Sequence, residues 1–236
     1  MTVRAHVSAV VPCLDEEAAI GPCVAALLAH GLGEVIVVDG NSRDRSAERA
    51  AAAGAKVVIE PRKGYGRALA SGIAAISSRA SIVLFIDGDG SDRTDLVPAV
   101  LAPIEEGRAD FVLGSRVLGQ RDAGSLEPAQ IVAGRLAGWL ILALYGVRFT
   151  DMSPFRAIRR DTLDRLGMRD ETFGWNLEMQ MRVAAAGLRI VEVPVGQRRR
   201  VGGTSKVSGN LASSFRAART IIATFVRLAV RLPRKA

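Results

Sequence analysis

The first half of the chain alternates short, continuous, β-branched apolar runs with alanine-rich stretches of helical length: HVSAVVP, AAIGPCVAALLAH, EVIVVD, RSAERAAAAG, AKVVIE, GRALASGIAAISS and SIVLFIDGD. A strand that is apolar on both faces is covered on both faces, and short runs of this kind separated by helix-length segments mark parallel strands joined by crossover helices. The pattern predicts an α/β fold of the doubly wound kind, with a mostly parallel sheet flanked by helices. A further strand, ADFVLGS, follows the helix candidate LVPAVLAPIEEG, whose ends Pro98 and Pro103 blur. The second half is less regular. It offers a helix near Gln130 to Tyr145, a strand in PFRAIR, a helix near Trp175 to Ala186, a strand in LRIVEVPV, an unpacked loop QRRRVGGTSKVSGN and a last helix from Leu211 to Leu232. The expected organisation is one catalytic domain over residues 1–210 with an appended basic amphipathic helix over 211–236.

Open α/β sheets bind ligands beyond the carboxyl ends of their strands, so the residues that close each apolar run are the candidates for chemistry. The clearest closure is SIVLFIDGDGSD, where Asp87 and Asp89 are separated by Gly88 alone. Residues two apart on a strand share a face, and two converging hard oxygen donors suit Mg²⁺ or Mn²⁺ carried by a diphosphate. A polar turn capping the strand accounts for the same residues. EVIVVD ends in Asp39, an acidic group able to accept hydrogen bonds from a ribose or base, and VVPCLDEE brings Pro12, Asp15, Glu16 and Glu17 to the end of the first strand. Turn chemistry and compensation of a helix dipole are the alternatives there. KGYGRALASG carries Gly64 and Gly66 ahead of a helix, a placement compatible with close approach to phosphate or with an ordinary turn.

Taken in order, these segments resemble glycosyltransferase family 2, with its GT-A fold, and in particular the branch of dolichyl-phosphate mannose synthase and the bacterial polyprenyl-phosphate sugar transferases. The resemblance extends through GSR at Gly114 to Arg116, DMSPFRAIRR from Asp151, FGWNLEMQ around Glu178 and RRRVGGTSK ending at Lys206. It implies a donor site for a UDP- or GDP-linked sugar built from Pro12, Asp15, Glu17, Asp39, Gly64, Asp87, Gly88, Arg200 and Lys206, with the metal on Asp87 and Asp89. It also implies inversion at the anomeric centre, with Asp89, Asp151, Glu178 and Arg116 as catalytic candidates and Arg116 and Arg135 as ligands for an acceptor phosphate. A lipid phosphate attacks as an anion, whereas a hydroxyl on a glycan or small molecule needs a base such as Asp151 or Glu178. Cys13, Leu14 and Asp15 stand where the family often has Pro-x-Tyr-Asn-Glu-Glu, and Asp39 is followed by Gly40 rather than a second aspartate, so the nucleotide stays open.

Charge placement bears on the partner. Ten of the Lys and Arg residues follow Glu192 with no acid among them, so the first 192 residues carry −2 of the net +8. Such a tail attracts phosphate on lipid, nucleotide or nucleic acid alike. An aromatic content of 5% and the lack of a nucleic-acid module argue against nucleic acid. On the last helix Arg216, Arg219, Arg227 and Arg231 fall on one arc and Ile221, Phe225, Leu228 and Leu232 on the opposite one. Peripheral contact with an anionic membrane is one reading of this helix, and docking of its apolar arc on its own domain or on a neighbouring subunit is the other. The longest apolar stretch, between Arg135 and Arg148, has twelve residues against the ~20 that span a bilayer, so no transmembrane helix is expected. Two cysteines and no secretory pattern make the cytoplasm, with its membrane face, the expected location.

Overall fold

The structure, a computed structural model, describes residues 3–202 and 211–233, with the backbone alone over 211–218. Lys206 and the side chain of Arg216 lie outside the described residues. The four apolar runs of the first half become β1 (Arg4–Cys13), β2 (Leu32–Asp39), β3 (Lys56–Ile59) and β4 (Ile82–Phe85). They pair in parallel, with Cys13 beside Asp39 and Val10 beside Phe85. The alanine-rich segments between them form α1 (Ile20–Ala29), α2 (Ser46–Ala52) and α3 (Tyr65–Ala74). The chain continues through α4 (Val97–Glu105), β5 (Phe111–Ser115), α5 (Pro128–Tyr145), β6 (Arg156–Arg159), α6 (Arg160–Leu166), α7 (Trp175–Ala185), β7 (Ile190–Pro194) and α8 (Leu211–Arg231). Only α6 has no counterpart in the sequence reading.

The 7-stranded sheet runs β3-β2-β1-β4-β6-β5-β7. Its exception to parallel order is β6, antiparallel to both β4 and β5, with Arg156 opposite Phe85 on one side and Leu113 on the other. This reversal has a functional consequence. An antiparallel strand begins where its neighbours end, so the approach to β6, residues 149–155, reaches the same edge as the carboxyl ends of β4 and β5. The doubly wound half and the less regular half therefore share one cleft.

Two apolar layers enclose the sheet. One joins Val7, Val11, Val37 and Leu84 to Ile20, Val24 and Leu27 of α1, Ala50 of α2 and Val100 and Ile104 of α4. The other joins Val10, Ile36, Phe85 and Phe111 to Leu69 of α3, Ile141 of α5, Leu163 of α6, Met181 of α7 and Leu228 of α8. Thus α8 lies on the domain: Leu228 is buried, while Ile221, Phe225 and Leu232 pack against the same layer. This is the arc that the sequence offered to a membrane or to the domain, and the domain takes it.

Helix α5 departs from the expectation of a short apolar stretch. A capping box between Glu127 and Gln130, with Pro128 at its first turn, starts the helix, and Gly146 in the left-handed region (φ 72°) ends it. Arg135 does not interrupt it, so it runs for 18 residues with mean hydropathy 1.3, long and apolar enough by length and composition to cross a membrane, yet only 28% of it is buried. The buried face is narrow: a Cβ at Gly138 would lie 1.9 Å from the carbonyl oxygen of Phe149, and one at Gly134 would lie 3.5 Å from Cα of Asp151. Small residues let α5 settle directly on the backbone of the approach to β6, while Val132, Leu136, Trp139 and Leu140 remain exposed on its other side.

Candidate active site

The turns that close β1 and β2 hold each other. Asp39 is buried and spends its carboxylate locally, accepting the Ser42 hydroxyl at 2.5 Å and the Ser42 amide at 3.0 Å. Ser42 Oγ in turn accepts the Asp15 amide at 2.9 Å, and Asp15 accepts the Arg43 amide at 2.8 Å. Glu16 donates its amide to Ser46 Oγ at 2.8 Å, and Glu17 accepts the Arg45 amide at 3.2 Å. Asp15 and Asn41 both have positive φ, 53° and 66°, in keeping with the tolerance of Asp and Asn for left-handed turns. Asp15, Glu17 and Asp39 thus form one wall at the strand ends, and Pro12 adjoins it.

Gly88 explains the spacing of the two metal candidates. A Cβ there would meet Ile20 Cδ1 at 2.9 Å and the Pro12 carbonyl at 3.2 Å, so the close approach of β4's end to β1 admits no side chain between Asp87 and Asp89. Asp87 Oδ1 accepts the Tyr65 hydroxyl at 3.2 Å, and Asp89 Oδ1 accepts the Ser91 amide at 2.9 Å. A third carboxylate, Asp92, folds beneath them: it is buried, Oδ2 accepts the Asp87 amide at 3.0 Å, and Oδ1 has no hydrogen-bond partner. Burial first and the Asp89 charge second push the Asp87 carboxyl up to about 7, although the residue keeps part of its surface open to solvent. Burial and the charges of Asp87 and Asp89 likewise raise Asp92 well above the ordinary carboxylate range. A divalent ion fits this donor set: Asp87 and Asp89 supply one or two hard oxygen ligands, and the carboxylates around them carry negative charge that a cation would stabilise. No group of three or more His, Cys, Asp or Glu arranged to hold a metal occurs among the described residues. The protein side of such a site is therefore minimal and needs phosphate and water to complete it.

The segment after β7 returns over this turn. Arg198 donates its amide to the Ser91 carbonyl at 2.8 Å, and Val201 donates to the Asp89 carbonyl at 3.2 Å. Arg200 then places its guanidinium between two carboxylates, with Nη1 3.1 Å from Asp89 Oδ2 and Nη2 on Glu16. Glu16 and Asp92 were not singled out by the sequence as ligands. Glu16 stands 184 positions from its partner, beyond any local pattern.

The acceptor candidates separate into distinct environments. Arg116 and Asp151 form a buried two-pronged pair, Nε to Oδ2 and Nη2 to Oδ1 both at 2.8 Å, and the Arg116 amide adds a bond of 2.9 Å. Burial works to raise the Asp151 carboxyl, but the hydrogen bonds and charge of Arg116 prevail and hold it below the usual range. Gln180 Nε2 fixes the Asp151 carbonyl at 2.6 Å. Glu178 is buried on α7 and accepts the amides of Arg169 and Asp170 at 3.0 and 2.6 Å and the Arg182 guanidinium at 2.8 Å, which ties the start of α7 to the loop before it. Arg135 is exposed on α5 among the apolar residues of its outer face. Gly64 and Gly66 serve a packing joint: Cβ atoms there would fall 2.3 and 2.0 Å from the carbonyl oxygens of Glu171 and Asp170, and the first amides of α3 already bond to Thr172 and Glu171.

The fold and these residues define an α/β protein whose cleft, at the carboxyl ends of parallel strands, is lined by aspartates on one side and by an arginine–aspartate pair on the other. The chain belongs to glycosyl transferase family 2, whose sequence profile matches residues 8–167, and it is a glycosyltransferase. It is 40% identical over 209 residues to an uncharacterized glycosyltransferase of Mycobacterium tuberculosis, covering 88% of this chain and 92% of that one. A dolichyl-phosphate hexose transferase of Haloferax volcanii is 34% identical over 194 residues, 80% of this chain and 82% of that one. Among solved structures, glucosyl-3-phosphoglycerate synthase from Mycobacterium tuberculosis in complex with Mn²⁺, UDP and glucosyl-3-phosphoglycerate superposes with a TM-score of 0.73 at 23% identity, over 96% of this chain and 80% of that one. At that identity the likeness establishes the GT-A fold.

Proposed function

We propose that this glycosyltransferase moves a sugar, with inversion, from a UDP- or GDP-linked donor to a polyprenyl phosphate at a membrane surface, with Mg²⁺ or Mn²⁺ on Asp87 and Asp89. The observation that carries the reading is the placement of α5. Its Gly134–Gly138 face rests on the backbone of Phe149 to Met152, next to the Arg116–Asp151 pair, while its outer face exposes Leu136 and Trp139 by more than half, with Arg135 also exposed and Arg148 stacked 4.5 Å over the Trp139 ring. An apolar face edged by arginines and a tryptophan suits the boundary between headgroups and acyl chains, and it adjoins an arginine suited to an anion. The kinship with a dolichyl-phosphate hexose transferase supports the same acceptor class.

Asp15, Glu17 and Asp39 would line the nucleoside, and Arg200 would reach the diphosphate with its planar fork. When bound, the divalent ion would supply charge stabilisation to the departing diphosphate. An oxygen of the acceptor phosphate attacks the anomeric carbon from the face opposite the leaving diphosphate, a new C–O bond forms, the bond to the diphosphate oxygen breaks and the nucleoside diphosphate leaves. No proton has to be removed from that nucleophile. This agrees with the state of the two candidate bases, since Asp151 is engaged by Arg116 and Glu178 by Arg182 and two amides. Asp151 is then the group that orients Arg116 toward the acceptor. Incubation with a panel of nucleotide sugars, Mn²⁺ or Mg²⁺ and polyprenyl phosphate, followed by mass spectrometry, tests the reading. A sugar-phosphate-polyprenol product is expected. A glycoside formed only on soluble hydroxyl acceptors would overturn it in favour of a base-assisted transfer.

A further inference from the structure

Arg200 is held over the aspartate turn by three attachments that do not involve its own side chain. The Arg198 amide bonds to Ser91, the Val201 amide bonds to Asp89, and Val201 packs so closely on Gly90 that a Cβ there would lie 2.6 Å from Val201 Cγ2. Arg198 adds a side-chain contact, Nη2 to Asp95 at 3.0 Å. The loop is thereby registered on the metal motif, and the Arg200 guanidinium has little choice of position. It spans Asp89, with Nη1 to Oδ2 at 3.1 Å, and Glu16, through Nη2. Both carboxylates are buried, and the Arg200 side chain is only 27% exposed.

Four acidic side chains, Glu16, Asp87, Asp89 and Asp92, crowd this end of the cleft; the charge of Arg116 acts on Asp87 and Asp92, and among the described residues Arg200 is the arginine whose ion pairs reach two of the four, Glu16 and Asp89. Grouped carboxylates in a partly dry site repel one another and are costly without a counter-charge. Arg200 supplies that charge at the oxygen a metal would use. A divalent ion arriving alone must displace the guanidinium from Asp89 and leave it with Glu16 as its one remaining carboxylate of the pair. An ion arriving with a diphosphate displaces the same guanidinium onto new phosphate oxygens, for which its fork is equally well shaped.

We infer that Arg200 is a built-in counter-ion that competes with the divalent ion for Asp89 and is handed to the donor diphosphate as the ion binds. Weak binding of the ion alone and cooperative binding of ion with nucleoside diphosphate follow as two faces of one exchange, and the coupling is reciprocal. The inference rests on the assignment of the metal to Asp87 and Asp89.

The test is Mn²⁺ binding to the full chain, followed by electron paramagnetic resonance and calorimetry, with and without UDP or GDP, so that no turnover is involved. Arg200→Gln is expected to bind Mn²⁺ alone roughly tenfold more tightly than wild type, and the factor by which the nucleotide strengthens Mn²⁺ binding is expected to fall toward one. Arg200→Lys, which keeps the charge but cannot span Glu16 and Asp89 together, is expected to move in the same direction by a smaller factor and serves where the glutamine variant folds poorly. Unchanged affinity for Mn²⁺ alone in both variants, or undiminished coupling, overturns the counter-ion role. Asp89→Asn separates the two layers of the argument. If it abolishes Mn²⁺ binding while the Arg200 variants behave as wild type, the metal assignment stands and the counter-ion role fails. If Asp89→Asn binds Mn²⁺ with nucleotide as wild type does, the metal assignment itself fails.

Discussion

Buried aspartates occur at both ends of the cleft, and they are treated in opposite ways. At the end of β4, Asp87 and Asp92 lie close together with no arginine among the described residues bonded to either, and both carboxyls are raised. At the start of the approach to β6, Asp151 is locked onto Arg116 and its carboxyl is lowered. A structural aspartate is normally given its counter-charge by the fold, as Asp151 is by Arg116 and Asp170 is by Arg227, with the Thr172 and Thr224 hydroxyls adding hydrogen bonds to Asp170. Carboxylates left crowded and under-compensated are poised for a charge that arrives from outside. Under the proposed function the first end is where a cation is delivered, and the second is a rigid arginine presented to an anion.

The sharpest way to break this contrast is at the cation end. Asp89→Asn is expected to leave the fold intact, because it removes a negative charge from a crowded cluster. Loss of one hard metal ligand should still cost several kcal/mol of transition-state stabilisation, roughly three orders of magnitude in turnover. Steady-state transfer assays with and without chelator check this, alongside a thermal melt. Turnover in the variant equal to wild type, or wild-type turnover unmoved by chelator, would dissolve the distinction between the two ends.

The opposite end should respond first in stability. Arg116→Ala leaves Asp151 as a buried carboxylate stripped of its partner, a change expected to cost about 3–5 kcal/mol in denaturant unfolding. The pair Arg116→Ala with Asp151→Asn should recover much of that loss while transfer to the acceptor stays impaired, since the orienting arginine is still missing. A single Arg116→Ala variant that melts like wild type would mean that the pair is not the strut that the geometry describes. The double variant also isolates function, because loss of activity in the single variant mixes acceptor binding with damage to the fold.

How far this contrast could be read in the sequence depends on the distance over which each contact acts. The parallel strands were legible because continuous apolar runs are a local signal, and Asp87, Gly88 and Asp89 were legible because their spacing is local too. The Arg116–Asp151 pair spans 35 positions and was met as two separate candidates, an anion ligand and a base. Glu178 looked like a base because its residue type suits the task, and only the fold shows it accepting two amides and an arginine. Gly64 looked like a phosphate glycine, yet the backbone of Glu171 presses on it from across the fold. Periodicity located both arcs of α8 but could not say which surface its apolar arc meets, because a protein core and a membrane reward the same side chains. In α5, which the sequence placed near Gln130 to Tyr145, the count of uninterrupted apolar residues stopped at Arg135 and understated the apolar length of a helix whose single arginine lies on its exposed side.

A smaller effect separates α5 from α8 as the surface that meets lipid. With Ile221, Phe225, Leu228 and Leu232 of α8 packed on the domain and the smaller Ile222, Val226 and Val230 left exposed on that helix, Leu136→Asp together with Trp139→Asp should weaken binding to anionic vesicles by about tenfold, in line with the burial energy of two large side chains after partial exposure. Arg227→Gln should cost no more than about 1 kcal/mol in the same assay, and less as salt is raised. Vesicle sedimentation at two ionic strengths gives both numbers. If the α5 variant binds as wild type while neutralising Arg219, Arg227 and Arg231 abolishes binding, α8 is the membrane surface and α5 requires another partner.

The gentlest probe is pH, and here the two ends should tilt stability in opposite directions. Asp151 is held below its ordinary value in the folded chain, so its contribution is present above the unfolded carboxylate pKa of about 3.9 and is lost as pH falls through the lower folded value. Asp87 is raised to about 7, so the folded chain holds a proton that the unfolded chain has already released; the stability linked to that proton is full below about pH 4 and is lost as pH rises toward about 7. Each group tilts the curve by at most about 1.4 kcal/mol per pH unit. Measured in chelator by denaturant unfolding from pH 3 to 8, Asp151→Asn is expected to flatten the acid limb, after allowance for its lower overall stability, and Asp87→Asn to flatten the limb between about pH 4 and about pH 7. A saturating mixture of Mn²⁺ and nucleoside diphosphate should flatten the second limb alone, because a cation bound at Asp87 keeps its carboxylate ionised above about pH 4 in the folded chain as it already is in the unfolded one. If both variants flatten the same limb, or if the ligands leave the neutral limb unchanged, the two ends do not differ in the way their partners imply.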